Sequence, residues 1–304
     1  MIRNSFIILL TSLLTIACSN DRAVFLKDLG IKGKKFTDTA GEKLKQAAAL
    51  PEKKTIGKDT DLPIKGKLGT EVWLTSDDLI LPDGKPATYP IQVEILEVYK
   101  PKDMILNGIS TVTDRGMLST AGQIKITAFK DAKELKLSKS NDLIIAFPAA
   151  NGVDQKMGLF YGVEKDGNVI KWLPADTTGK NLPLYPDRDG YTAFPSQIGW
   201  INCDKLIDSP GPFTNINFVS EYPEIKNINI FLYFPDMKSV VKVNNGSLDP
   251  VPIGSKVKII AISITDKDEW YSFLAETRVQ EKQTIEIKLV STSKDDLLKF
   301  LDSL

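Results

Sequence analysis

Histidine is missing from all 304 residues, and this absence constrains the chemistry more than any motif that is present. Ser-His-Asp and Cys-His hydrolases, His-based zinc sites and the helical metalloprotease motif all need an imidazole. There are two cysteines, Cys18 and Cys203, too few for a thiolate-built metal cluster. Catalysis would have to use Asp, Glu, Lys, Ser or Tyr. The Ser-x-x-Lys spacing of Ser291-Thr292-Ser293-Lys294 lies at the C-terminus with no partner motif after it and reads as a helix start. A carboxylate-based glycan hydrolase needs two acids about 5–10 Å apart across a cleft, and 39 Asp and Glu residues single out no pair.

Candidate binding chemistry concentrates in Leu182–Pro195, which reads L-P-L-Y-P-D-R-D-G-Y-T-A-F-P. Asp187 and Asp189 ahead of Gly190 resemble the start of a calcium loop, although the further oxygen ligands of such a loop do not follow. A surface turn is the competing reading. Tyr185, Tyr191 and Phe194 form a candidate stacking platform for a sugar or peptide, with packing between domains as the alternative. No cofactor is expected. No basic-aromatic pattern points to nucleic acid.

The first residues carry an address. Arg3 supplies a positive start, Ser5 to Ile16 is an uncharged apolar run, and small Ala17 precedes Cys18. The run is too short for a spanning helix, which needs roughly 20 apolar residues, and fits a signal sequence. The stretch Leu-Thr-Ile-Ala-Cys resembles a lipobox, with Thr15 where the pattern prefers Leu. That resemblance implies cleavage before Cys18 and a diacylglycerol on its thiol, hence a membrane partner through the lipid. Ser19 resembles the sorting signal of outer-membrane lipoproteins. Lipidation of Cys18 would leave Cys203 without an intramolecular partner, so no disulfide framework is expected and Cys203 reads as a small buried hydrophobe.

The elements that must position these residues are mostly strands. After the signal peptide (1–17), residues 18–69 read as a Lys-rich tether, with 12 Lys and Arg against 7 Asp and Glu over 21–67. Within it Glu-Lys-Leu-Lys-Gln-Ala-Ala-Ala-Leu predicts a short helix closed by Pro51. Residues 70–150 read as a β-sandwich domain, and Ile91, Val93 and Ile95 alternating with Gln92 and Glu94 are its clearest strand. Residues 151–212 read as a hairpin across Glu164-Lys165-Asp166-Gly167, then a long irregular connection rich in Pro and aromatics. Residues 213–304 read as a second β domain. Its C-terminal helix is started by Ser293 with Asp296 in capping-box spacing and carries Leu297, Leu301 and Leu304 on one face. The fold class expected is mainly β, with two antiparallel sandwich-like domains after a signal and tether.

Leu81 to Ala128 carries a family resemblance. Asp103, Met104 and Leu106 after a strand, then Gly116, Leu118 and Gly122, resemble the β-sandwich of zonula occludens proteins, ankyrins and netrin receptors. The similarity is greatest to the form found in uncharacterised lipoproteins of Gram-negative bacteria. It implies a fold and an interaction role and no reaction. Some relatives self-cleave at a His-Phe-Ser step, which a chain without histidine cannot do.

The resulting expectation is a lipid-anchored, non-catalytic protein of the outer membrane. Its β domains would bind or organise other envelope components, protein or glycan. The alternatives are a glycan- or small-ligand-binding lipoprotein and, further off, a carboxylate-based glycan hydrolase. A flat face with an exposed aromatic row would favour the binder, and a deep pocket with two facing acids the hydrolase.

Overall fold

The computed structural model describes residues 31–139, 142–149, 152–175, 183–209, 211–244, 246 and 250–304. The signal sequence, Cys18 and Ser19 lie outside the described residues. The described chain is mainly β, with several antiparallel sheets and a short C-terminal helix.

Two sheets form the first sandwich. The larger runs Asn168–Pro174, Gly158–Lys165, Gly199–Leu206, Gly116–Lys130, Ile91–Val98 and Glu52–Ile56 in spatial order. The smaller runs Leu184–Pro186, Gly190–Ala193, Ile144–Pro148, Glu71–Trp73 and Ile64–Lys65. Their facing sides hold one core, to which Ile91, Val93 and Ile95 contribute as their alternation predicts, together with Val72, Ile145, Tyr191 and Cys203. In Gly116–Lys130 a bulge opposite Cys203/Asp204 shifts the register, so that Leu118 and Ile124 face opposite sides despite their even spacing. Gly122 lies at this bulge because a Cβ there would come within 2.1 Å of the Tyr99 ring.

The second unit is built on a sheet ordered Ser239–Lys242, Asn229–Phe234, Lys256–Thr265, Trp270–Arg278 and Val290–Ser291, with Phe36–Thr37 also pairing to Lys256–Thr265. Both faces of this sheet are buried, which explains the nearly continuous apolar run Lys-Val-Lys-Ile-Ile-Ala-Ile-Ser-Ile. Val257, Ile259 and Ala261 face a core closed by Ile216, Phe218 and Val251. Ile260, Ile262 and Ile264 face the first unit.

A third core fills that junction. Leu96, Val98, Trp172 and Trp200 from the first unit meet Phe231, Tyr233 and Val240 from the second, and three helices, Ala40–Gln46, Pro101–Leu106 and Lys294–Asp302, close it. Hydrogen bonds join the two units at an otherwise unpaired sheet edge. Thr111 N–H donates to the Val240 carbonyl at 2.7 Å, Val240 N–H donates to Thr111 Oγ1 at 2.9 Å, and Lys242 N–H donates to Ser110 Oγ at 2.9 Å. Such partners satisfy edge groups whose burial would otherwise be costly.

Two expectations need correction. From Ile31 onward the segment expected as a tether is built into the fold. Ile31 is buried, Phe36–Thr37 and Glu52–Ile56 are edge strands, and Ala40 and Leu44 lie in the junction core. Its lysines conceal this because Lys53 and Lys54 project from an edge strand into solvent. The hairpin expected early in 151–212 is present as Gly158–Lys165 and Asn168–Pro174, but the rest is not an irregular connection: it supplies three more strands of the first sandwich, and the Pro-rich stretch is itself a hairpin. Prolines at the strand ends, where they cost little hydrogen bonding, mask it. The C-terminal helix is capped as expected, Ser293 Oγ accepting from Asp296 N–H at 3.1 Å. Its Leu297 and Leu301 enter the junction core, and Lys102 to Asp302 at 2.8 Å ties it to the Pro101–Leu106 helix.

Candidate functional site

Register decides which aromatics of Leu184–Ala193 are accessible. Leu184 pairs with Ala193, Tyr185 with Thr192 and Pro186 with Tyr191. Side chains alternate along a strand, so Leu184, Tyr191 and Ala193 point into the core while Tyr185 and Thr192 face outward. Phe194, one residue further, shares the outward face. Its ring meets Tyr185 edge to face, centroids 5.8 Å apart at 84°, and the two are 44% and 40% exposed. The hairpin can come this close to its neighbour because Gly190 lacks a Cβ, which would stand 2.1 Å from the Phe147 carbonyl oxygen.

Tyr185 and Phe194 border a depression of about 660 Å³ that Asp142, Ile144, Thr192 and Ser196 also line. Ile144 lies opposite Trp73 on the next strand, and both are half-buried on the same outer face. Phe194, Ile144 and Trp73 therefore form a row across three strands, about 10 Å long at a strand spacing of ~4.8 Å. At one rim Ser196 N–H donates to Tyr161 Oη at 2.7 Å, and at the other Asp142 N–H donates to Asp78 Oδ1 at 2.7 Å. The arrangement offers apolar ring faces with hydroxyl and carboxylate groups at the edge. That chemistry suits a ligand with an apolar flat side and polar margins.

The remaining candidates separate. Tyr191 is a correction to the aromatic platform, because it is 2% exposed. Its hydroxyl accepts the Asp154 N–H at 2.7 Å, and burial raises its pKa. Asp187 and Asp189 are exposed at the hairpin tip, where Asp187 N–H donates to the Gly190 carbonyl at 2.8 Å and Asp187 Oδ1 accepts the Arg188 N–H at 2.7 Å. Among the described residues no group of three or more His, Cys, Asp or Glu gathers to hold a metal, and the pair sits in the surface turn of the competing reading. Cys203 is fully buried in the first core, and burial pushes its thiol far up.

One polar cluster escaped sequence reasoning. Thr120, Gln123, Asn202 and Asp204 are buried on the large sheet. Asn202 Nδ2 donates to Asp204 Oδ2 at 2.5 Å and Thr120 Oγ1 donates to Asn202 Oδ1 at 3.3 Å. Asp204 Oδ1 and both amide atoms of Gln123 have no partner among the described residues. Burial drives the Asp204 carboxyl well above the usual range, because desolvation disfavours the charged form. Only the alternation of Asn202 and Asp204 about Cys203 hinted at a polar stripe on the face opposite the core.

No family model matches the chain, and no curated protein matches it. Among solved structures the chain is similar to a Gamma-CGTase from an alkalophilic Bacillus clarkii at 9% identity and a TM-score of 0.20, over 79% of this chain and 42% of that one. The chain thus spans less than half of that protein's length.

Proposed function

We propose that this protein is a lipid-anchored, non-catalytic component of the bacterial outer membrane that binds glycan on the outer face of its five-stranded sheet. The observation that carries the reading is the exposed Tyr185–Phe194 pair, aligned with Ile144 and Trp73 beside a polar-rimmed depression. A sheet positions such rings rigidly, so they bind without ordering a loop first. Sugar rings have flat apolar faces and hydroxyl edges, which match the row and its rim. The anchor rests on the sequence around Cys18, and the interaction role also agrees with the family resemblance carried by Asp103, Met104, Gly116 and Gly122. The hydrolase alternative finds less support. Among the described residues Asp142 is the single acid that lines the depression, Asp78 beside it is buried, and hydrolysis needs two acids facing each other across a cleft.

The test is affinity gel electrophoresis of the full chain with Cys18→Ser through a panel of soluble glucans, xylan and peptidoglycan fragments. Retardation by at least one glycan, lost in Tyr185→Ala/Phe194→Ala, is expected. Equal mobility in every gel would overturn the glycan reading.

A further inference from the structure

A second cavity, of about 920 Å³, opens where the two units meet, at the far end of the first sandwich's core. Its wall is mostly apolar, with Leu68, Tyr99, Val153 and Met157 among the contributors. Leu68 is 49% exposed, an uncovered large apolar side chain inside a concave site.

The rim is cationic. Lys100, Lys156, Lys205 and Lys238 line the cavity with Asp154 and Asp236. Lys205 is paired with Asp154 at 2.5 Å, and that pair holds the Asp154 carboxyl below its usual range. Lys100, Lys156 and Lys238 form no salt bridge among the described residues, so the lysines lining the cavity outnumber its two acids, Asp154 and Asp236.

The backbone is also committed here. Lys238 is a non-glycine residue in the left-handed region, at φ 48° and ψ 47°. A strained residue of this kind persists when its surroundings fix it. Its carbonyl accepts from Thr120 N–H at 3.4 Å across the junction, and its own N–H donates to the Pro235 carbonyl at 3.2 Å. Thr120 itself lines the cavity wall.

We propose that this junction cavity binds one small amphiphilic anion, its apolar body against Leu68, Tyr99, Val153 and Met157 and its carboxylate or phosphate head among Lys100, Lys156 and Lys238. The volume falls within the ~300–1,000 Å³ of sites that enclose a single small ligand. The charge complementarity selects an anion over a neutral or cationic amphiphile of the same length. The site is separate from the aromatic face and does not depend on the glycan reading.

The experiment is calorimetric titration of the full chain with Cys18→Ser, using decanoate, decanol and decyltrimethylammonium below their micelle concentrations. Phosphatidylglycerol vesicles form a separate arm. Saturable one-to-one decanoate binding is expected, with decanol and the cation each weaker by about tenfold or more. Lys100→Gln/Lys238→Gln should weaken decanoate by a similar factor of about ten, and Lys299→Gln, on the exposed side of the last helix, should leave it unchanged. Decanol binding as tightly as decanoate would overturn the proposal. So would an unaffected double variant, no saturable binding, or binding to vesicles alone.

Discussion

The two sheets of the first sandwich bury similar aliphatic residues on their inner faces and treat their outer faces oppositely. The outer face of the larger sheet is sealed. Trp172 is fully buried and donates its Nε1–H to the Ser110 carbonyl at 2.8 Å, Trp200 meets it edge to face at 6.5 Å, and the second unit and three helices cover both. The outer face of the five-stranded sheet is open, and Tyr185, Phe194 and Trp73 remain within reach of solvent. Aromatic content therefore says little about role until cover is known. The same residue types hold two units together on one face and present a flat apolar row on the other.

Four variants sharpen or break that contrast. The largest effect is expected at Trp172→Ala, which would empty the junction core and cost about 4 kcal/mol in urea denaturation. A loss below ~1 kcal/mol would mean that the sealed face is not structural. Thr111→Val should cost about 2 kcal/mol by the same measurement, since it leaves the buried Val240 N–H without its acceptor.

Asp204→Asn tests the polar stripe under the sealed face through its pH dependence. Burial raises the folded-state carboxyl above its unfolded value, so the native state keeps a proton that the unfolded chain releases. Wild-type stability is therefore lost as pH rises from about 4 through the folded value, at no more than ~1.4 kcal/mol per pH unit. The variant should be the more stable protein at pH 8, and the difference should disappear below about pH 4. A difference independent of pH would show that Asp204 is ionised in the native protein. The smallest stability effect is expected for Tyr185→Ala/Phe194→Ala, within about 1 kcal/mol of wild type, because both side chains lie on the open face and outside the cores. A larger loss would make the open face a structural surface like the sealed one.

Much of the architecture was legible where one strand shows a single buried face. Ile91–Val98 announces itself by alternation, the Gly158–Lys165 and Asn168–Pro174 hairpin by its Asp166-Gly167 turn, and the last helix by Ser293 and its leucines. The strand Glu52–Ile56 was illegible because only Ile56 among its residues is buried and its pairing partner lies about 40 residues further on. The candidate site was legible in composition and not in geometry. Tyr185, Tyr191 and Phe194 stand in one short stretch, yet which of them faces out depends on a one-residue difference in parity that only the cross-strand register fixes. Trp73 could not be grouped with them at all, because the strand Ile144–Pro148, distant in sequence, brings it into line. Gln123 and Asn202 are likewise joined only by strand pairing.

The most direct test of the open-face account is calorimetric titration of a glycan that retards the wild-type protein, compared across wild type, Trp73→Ala and Tyr185→Ala/Phe194→Ala. The account predicts saturable binding to wild type, weakening by about tenfold or more in the double variant and a smaller loss in Trp73→Ala, with all three folded. Affinity unchanged by removal of the three rings would contradict it.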